Sequence, residues 1–212
     1  MHFLVIATTI GRLPLISPRK ISCVNKLGKI EICMYSFFHQ KGMVMTWQPK
    51  DELASAVALE VLIHGPLGRA ELARRLGLAP ATLTRISPEL ISSGLLTEVP
   101  EATQRTSGRP TIPLDVVPSS HYFLGIKLTD SALDATVIDL KATPRDSYRV
   151  PLDSLTPVRV VRAIADLAHQ ARASYRLDTI GIAVGGIVNA DGTVESAPFL
   201  KWHNVPLASL VS

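Results

Sequence analysis

Apolar positions recur at helical spacing in three successive segments of residues 51–94. The first segment predicts a helix that begins at the capping residue Asp51 and ends at His64-Gly65-Pro66. Its two adjoining apolar rows are Leu53, Val57 and Val61, and Ala54, Ala58 and Leu62. Because such a helix must pack its apolar side against other elements, it predicts a support for the two segments that follow.

Those two segments predict a pair of helices joined by a sharp turn. Leu72 and Leu76 share one side of a short helix, which ends at Gly77, a residue suited to the left-handed conformation. Pro80 fits the first position of the next helix, and Gly94 fits the position just past its end. The side chains predicted to be outside on the first of the pair are Arg74 and Arg75. The side chains predicted to be buried on the second are Leu83, Ile86 and Leu90.

Pro88 interrupts the pattern inside the second helix of this pair. It has no N–H to donate to the carbonyl of Thr84, and its ring crowds that carbonyl. We therefore expect the helix to kink or restart there, with its first half the more regular.

Two short apolar runs then flank a polar, basic loop. Residues 95–99 and 112–116 predict a pair of strands. Residues 104–110, between them, include two arginines, a glycine and a proline: Arg105, Gly108, Arg109 and Pro110. Such a loop can place arginine in a narrow minor groove or along phosphates.

Helix, turn, helix and basic hairpin, in that order, are typical of a winged helix-turn-helix that binds double-stranded DNA. Arg85 is the predicted base reader because a guanidinium can donate two hydrogen bonds to one guanine, and Thr82 can reach a base or a phosphate. Any one of these features alone is also compatible with a solvated helical surface. The predicted DNA-binding residues are Ala81, Thr82, Arg85, Arg105, Gly108, Arg109 and Pro110.

The pattern changes after residues 113–120, a linker with two prolines and two serines. Residues 122–128 and 132–140 predict a hairpin, and a third strand ending near Pro151 predicts an edge. Thr156-Pro157 begins a helix with one apolar side, and a buried strand at 179–184 ends at Gly185-Gly186. The apolar side of that helix holds Val160, Ile164, Leu167 and Ala171. Strands, helix and strand predict an α/β domain.

Charge and composition define three regions: 1–46, 47–118 and 119–212. The 212 residues are 47% hydrophobic and 19% charged, as in a globular protein. The net charge is +4, but residues 1–46 alone carry +5, so the rest carries −1. Overall charge therefore gives no support for DNA binding, and only the local placement of Arg85, Arg105 and Arg109 does.

Residues 1–46 predict an unstructured or wrongly assigned extension. The apolar stretch at residues 3–10 is too short to span a membrane and lacks the flanks of a signal peptide. Met43 and Met45 are alternative starts, and Cys23 and Cys33 lack the further ligands of a zinc site. Both cysteines are expected to be free thiols in a reducing compartment.

No catalytic or metal site is predicted, and no cofactor. Asp134 and Asp139 have opposite parity in one strand, so they point to opposite faces and make no acid–base pair. His121, His169 and His203 have no ligand spacing, and His169 is expected at the surface.

Several motifs beyond residue 51 together resemble the ROK family (repressor, open reading frame, kinase) in its transcriptional-regulator branch. They are Ser107-Gly108-Arg109-Pro110, Leu124-Gly125-Ile126, Val137-Ile138-Asp139-Leu140, Ile180-Gly181-Ile182-Ala183-Val184-Gly185-Gly186, Gly192-Thr193-Val194, Ser196-Ala197-Pro198 and Trp202-His203-Asn204-Val205-Pro206-Leu207. The resemblance implies a winged helix-turn-helix followed by an actin-like, sugar-kinase-like lobe. It implies a cytoplasmic repressor of sugar-related genes, often a homo-oligomer, whose operator binding responds to a sugar or sugar phosphate.

The chain also departs from the family pattern. Lys127 stands where kinase members carry an aspartate, with no following glycine-rich turn to approach ATP phosphates. Phe199 replaces the usual asparagine, and Gly185-Gly186, the predicted effector-binding pair, replaces proline-glycine. The family's catalytic aspartate, zinc site and second lobe correspond to positions beyond Ser212, so the expected lobe is truncated and non-catalytic. A sugar-kinase fragment and a non-functional remnant remain the alternatives.

Overall fold

The computed structural model describes residues 3–8, 52–100 and 112–211. The chain forms two compact units, Val44–Ser120 and a second that joins Met1–Met43 to His121–Ser212. We name the first the helical unit and the second the sheet unit. The first described element, strand β1 (Phe3–Thr8), belongs to the sheet unit.

The helical unit contains three helices and a pair of short strands, where the sequence pattern predicts them. The helices are α1 (Glu52–His64), α2 (Arg69–Leu76) and α3 (Pro80–Ser92). Strands β2 (Leu96–Glu98) and β3 (Leu114–Val116) pair antiparallel. Of the predicted features, the Asp51 cap and the loop residues Arg105, Gly108, Arg109 and Pro110 lie outside the described residues.

One side of each helix forms the core of this unit. The buried residues of α1 are Ala54, Val57, Ala58 and Val61, those of α3 include Leu83, Ile86 and Leu90, and α2 contributes Leu72 and Ala73. Leu53 was predicted in the buried row but is 38% exposed, and Leu76 is only half-buried. Both lie at helix ends, where fewer neighbouring elements cover a side chain.

Helix α3 runs without interruption through Pro88. The predicted restart at this position is therefore wrong. Pro88 lies on the exposed side, so its ring meets solvent rather than a packed neighbour. Ile86, Ser87 and Leu90 are buried around it, and their packing holds the helical backbone despite the missing N–H.

The sheet unit is built on a mixed five-stranded sheet with the order β1-β7-β4-β5-β6. The further strands are β4 (Tyr122–Leu128), β5 (Ala132–Asp139), β6 (Pro144–Pro151) and β7 (Leu177–Gly185). Strands β4, β5 and β6 are antiparallel neighbours, as the hairpin prediction requires, and β7 runs parallel to β4. The parallel crossover passes through helix α4 (Pro157–Arg172), whose predicted apolar side is buried.

At its other side β7 pairs antiparallel with β1, from Phe3 opposite Gly185 to Thr8 opposite Ile180. Residues 1–46 were predicted to be an unstructured or wrongly assigned extension, and at Phe3–Thr8 the structure differs from that prediction. A six-residue apolar run is long enough to add to a sheet through main-chain hydrogen bonds alone.

A second, three-stranded sheet follows with the order β10-β9-β8. Its strands are β8 (Ile187–Val188), β9 (Val194–Ala197) and β10 (Trp202–Val205), and helix α5 (Leu207–Val211) comes after them. The buried Trp202 donates from Nε1 to the carbonyl of Leu155 at 2.6 Å, which ties this sheet to the segment before α4.

No helix in the described ranges is long and apolar enough to cross a membrane.

His121, at the start of the sheet unit, is only 4% exposed. Burial lowers its pKa, and Arg176 acts in the same direction, whereas the carboxylate of Asp178 opposes them. The folded state therefore disfavours the proton that the unfolded chain binds near pH 6.5. We predict that the unfolding free energy falls as the pH drops below about 6.5.

Urea titrations at several pH values test this prediction by comparing the wild type with His121→Gln, which cannot titrate. The wild-type midpoint should fall relative to that of the variant as the medium is acidified. Parallel pH profiles for the two proteins would show that His121 does not contribute.

Candidate nucleic-acid interface

A three-residue turn joins α2 to α3. Gly77 adopts the predicted left-handed conformation with φ 63°, and the N–H of Leu78 donates to the carbonyl of Ala73 at 2.9 Å. Pro80 is the first residue of α3, and the N–H of Thr82 donates to the carbonyl of Ala79 at 2.9 Å. The turn therefore begins α3 directly after α2, as a helix-turn-helix requires.

The outer side of α3 brings together the three predicted base-facing residues that the structure describes. Ala81 and Arg85 are exposed, and Thr82 is half-buried. The opposite side is fixed in the core, since Leu83, Ile86 and Leu90 are at most 1% exposed. Because the buried side cannot rotate, the first two turns of α3 present Ala81, Thr82 and Arg85 together.

The arginines of α2 are engaged by carboxylates of the same unit. Glu71 accepts from Nη2 of Arg74 at 2.6 Å and from Nε of Arg75 at 2.8 Å. These hydrogen bonds, that of Arg74 before that of Arg75, lower the pKa of Glu71 to about 2. Arg75 also donates to Glu60 on α1 at 2.8 Å. The guanidinium groups of Arg74 and Arg75 are thus both bonded to carboxylates of the helical unit.

Arg69, the first residue of α2, holds both strands of the hairpin. Its Nη2 donates to Oε1 of Glu98 in β2 at 2.6 Å, and its Nη1 donates to the carbonyl of Ile112, just before β3, at 3.3 Å. Sequence reasoning missed this residue because its partners are 29 and 43 positions away. No local periodicity could have revealed the contact.

The two predicted effector-binding glycines have different surroundings. A Cβ added to Gly185, the last residue of β7, would meet nothing within 4 Å. A Cβ added to Gly186 would lie 2.2 Å from the carbonyl oxygen of Ser196 and 3.0 Å from Cα of Ala197. Gly186 is therefore required for a close approach of two backbones, and Gly185 has open space beside it.

Asp134 and Asp139 do point to opposite faces of β5, as their parity predicts. Asp134 is partly exposed and bonds Arg149 at 2.7 Å. Asp139 is fully buried and accepts from the backbone N–H groups of Lys141 at 2.9 Å and Thr143 at 3.0 Å. Nε of Arg145 donates to it at 2.8 Å, and a second short contact comes from Nη2 of the same residue. No local pattern around Asp134 and Asp139 indicates that Asp139 is the buried member of the two.

The described part of the chain holds no group of three His, Cys, Asp or Glu side chains that could bind a metal ion. Cys23 and Cys33 lie outside it. His169 is exposed on α4, as predicted, and His121 is buried.

No family model matches the chain. A transcriptional regulator of Mycobacterium tuberculosis is 27% identical over 179 residues, which are 82% of this chain and 41% of the relative. The N-acetylglucosamine repressor of Escherichia coli is 27% identical over 147 residues, 66% of this chain and 36% of the relative. The xylose repressor of Bacillus subtilis is 26% identical over 158 residues, 72% and 41% of the two chains. The chain thus spans about two fifths of the length of the curated relatives it matches.

The crystal structure of a ROK family transcriptional regulator shares the fold, with a TM-score of 0.55 and 22% identity over 75% of this chain and 42% of that one. The chain is thus similar in sequence to curated transcriptional regulators and repressors, and similar in fold to a ROK family transcriptional regulator. Its mixed sheet with helices is consistent with an actin-like lobe.

Two residues that depart from the ROK pattern are both at the surface of the sheet unit. Lys127 is exposed on β4, in register with Asp134 of β5 and Ala183 of β7. Phe199 is 58% exposed in the short 3-10 turn Pro198–Leu200. A lysine ammonium donates hydrogen bonds and cannot accept them as a carboxylate does, and a phenyl ring cannot donate or accept the hydrogen bonds of an amide.

Proposed function

We propose that this chain is a sequence-specific DNA-binding transcriptional regulator that represses sugar-related genes. The helical unit acts as a winged helix-turn-helix on a double-stranded operator. The sheet unit is the first part of a ROK-type, actin-like effector lobe without catalytic activity.

The observation that carries the proposal is the arrangement of α3. Its inner side is fixed by Leu83, Ile86 and Leu90, so its first two turns present the exposed Arg85 and the half-buried Thr82 directly after a tight turn. An α-helix placed in this way fits the major groove, where a guanidinium distinguishes guanine from the other bases. The hairpin that follows supports the proposal because Arg69 braces it against α2, next to the loop that carries Arg105, Gly108, Arg109 and Pro110.

The names of two relatives, an N-acetylglucosamine repressor and a xylose repressor, support a sugar or sugar phosphate as the effector. We place its contact near Gly185, where space is open, with Gly186 shaping the adjoining backbone. A homo-oligomer in the cytoplasm accords with this function.

A sugar kinase is the second candidate from the same family. Lys127 argues against it, because a cation on β4 stands where kinase members place an aspartate. The names of the curated relatives, which are regulators and repressors, also favour a role without catalysis.

Arg85→Ala should weaken binding to a preferred duplex by about 10- to 100-fold, because a bidentate contact with guanine is lost. The preferred sequence is obtained by selecting the full chain on a random pool of duplexes, and binding is then measured by fluorescence anisotropy. Arg74→Ala is the matched control, since it removes the same charge from the same unit at a residue bonded to Glu71. It should change the affinity only slightly.

Equal losses for Arg85→Ala and Arg74→Ala would mean that α3 has no special place in recognition. A selection that enriches no sequence would instead favour the non-functional remnant.

A further inference from the structure

We infer that the outer side of α4 is a second DNA-contacting surface, which binds the phosphate backbone of the duplex held by the helical unit. The inference deepens the proposed function and rests on it. It concerns four residues that we name the α4 basic stripe: Arg159, Arg162, His169 and Arg172.

The stripe is a consequence of how α4 packs. Its inner side is buried through Val160, Ile164, Leu167, Ala168 and Ala171. At 100° per residue the four stripe residues fall outside the buried arc and spread over about 140° of the helix circumference, and all four are exposed. The distance from Arg159 to Arg172 along the helix is about 20 Å. Arginines spaced over that length are far enough apart to contact different phosphates of one duplex.

Among the residues that the structure describes, none forms an ion pair that neutralises the arginines of this stripe. Five other arginines of the described chain are ion-paired: Arg69, Arg74, Arg75, Arg145 and Arg149. In contrast, no side-chain hydrogen bond or ion pair of the described residues involves Arg159, Arg162 or Arg172. One carboxylate, Asp166, shares the exposed side, so the stripe keeps a net positive charge.

The stripe also has room for an anion at its C-terminal end. An open depression of about 420 Å³ lies there, lined by residues 172–177, and it includes both Arg172 and Arg176. Two guanidinium groups beside an open depression suit a phosphate, because a guanidinium can bond two phosphate oxygens at once.

The short connection between the two units makes DNA the favoured partner. Only residues 117–121 separate β3 from β4, and the 3-10 turn Pro118–Ser120 lies within them. Even fully extended, the segment from Val116 to Tyr122 spans no more than about 20 Å. A tether of this length gives the sheet unit a high effective concentration near any DNA that the helical unit binds.

The composition of the stripe argues against a membrane surface. Helices that lie on lipid carry large apolar or aromatic side chains beside their cations. The exposed side of α4 offers only Val158 and small residues such as Ala165. Arginine, rather than lysine, supplies every permanent positive charge of the stripe.

The test is a salt titration of the full chain on a mixed-sequence duplex of about 40 base pairs, long enough for both units. The triple variant Arg159→Gln, Arg162→Gln and Arg172→Gln removes three charges but keeps polar, helix-forming side chains. The slope of its log affinity plotted against log salt concentration should be less negative than that of the wild type by about 2 to 3. Its affinity near 0.1 M salt should fall by roughly 10- to 100-fold.

Asp166→Asn is the control: it removes a negative charge from the exposed side of α4, whereas the triple variant removes positive charges. It should raise the affinity several-fold, because it removes the one carboxylate beside the stripe. An unchanged salt slope in the triple variant, or a weaker affinity in Asp166→Asn, overturns the inference.

Arg85→Ala separates the inference from the proposed function. If Arg85→Ala weakens binding and the triple variant does not, the regulator function stands and the stripe does not contact DNA. If the wild type fails to bind any duplex, the proposed function and the inference about the α4 basic stripe are both wrong. Should the triple variant then lose binding to polyglutamate, the stripe serves an acidic protein instead.

Discussion

Asp139→Ala should destabilise the sheet unit by roughly 3 kcal/mol, among the largest losses that one side chain of this protein can cause. The Asp139 carboxylate is fully buried and satisfies the backbone N–H groups of Lys141 and Thr143 together with the guanidinium of Arg145. The substitution leaves three sets of donors without their acceptor, and two of them are main-chain groups that fix the turn between β5 and β6.

Asp134→Ala is the matched control for this prediction. It removes the same side chain from the same strand, but Asp134 is 37% exposed and its partner Arg149 is 67% exposed. Exposed pairs of this kind contribute between 0 and about 1 kcal/mol. Hydrogen exchange of the β4–β6 amides reports the stability of this region, and comparable losses for the two variants would contradict the account.

Gly186→Ala should also be strongly destabilising, by about 2 kcal/mol or more, because the methyl group would overlap main-chain atoms. Its Cβ would lie 2.2 Å from the carbonyl oxygen of Ser196, and a backbone carbonyl within a paired strand cannot move aside as a flexible side chain can. The junction between β7 and β9 must then open, which loosens the second sheet.

Gly185→Ala supplies the control one residue away, where an added Cβ meets nothing within 4 Å. It should leave the thermal midpoint nearly unchanged, while Gly186→Ala lowers it by several degrees. Gly185→Ala also tests the proposal that a sugar or sugar phosphate binds near Gly185, because this variant should still be folded. Equal midpoints for the two variants would show that the backbone can relax around Ser196.

The helices of the helical unit could be predicted because their signals are local. The rows containing Val57 and Leu83 have the helical period, and Gly77 marks the turn between α2 and α3. The exposed position of Arg85 follows from the same periodicity. Pro88 misled the prediction because a local rule for an isolated helix takes no account of the packing that holds α3 together.

The features that could not be predicted depend on residues far apart in the chain. Arg69 finds Glu98 across 29 positions, and Gly186 owes its constraint to β9, which follows it by a turn. The prediction that Asp139 and Asp134 point to opposite faces of β5 was correct. The burial of Asp139, however, depends on the strands beside β5 and on Arg145 beyond the turn. Strand β1 joins β7 through main-chain hydrogen bonds, for which the sequence carries little signal.

Strand β6 lies at one end of the five-stranded sheet, with a proline at each terminus, Pro144 and Pro151. Neither proline can donate a main-chain hydrogen bond, and the exposed Arg145, Asp146 and Arg149 lie between them. A strand from another molecule could add here over only a few residues, and would meet charges of both signs. Pairing of this edge with a strand of another molecule, the first step of a cross-β fibril, is therefore disfavoured.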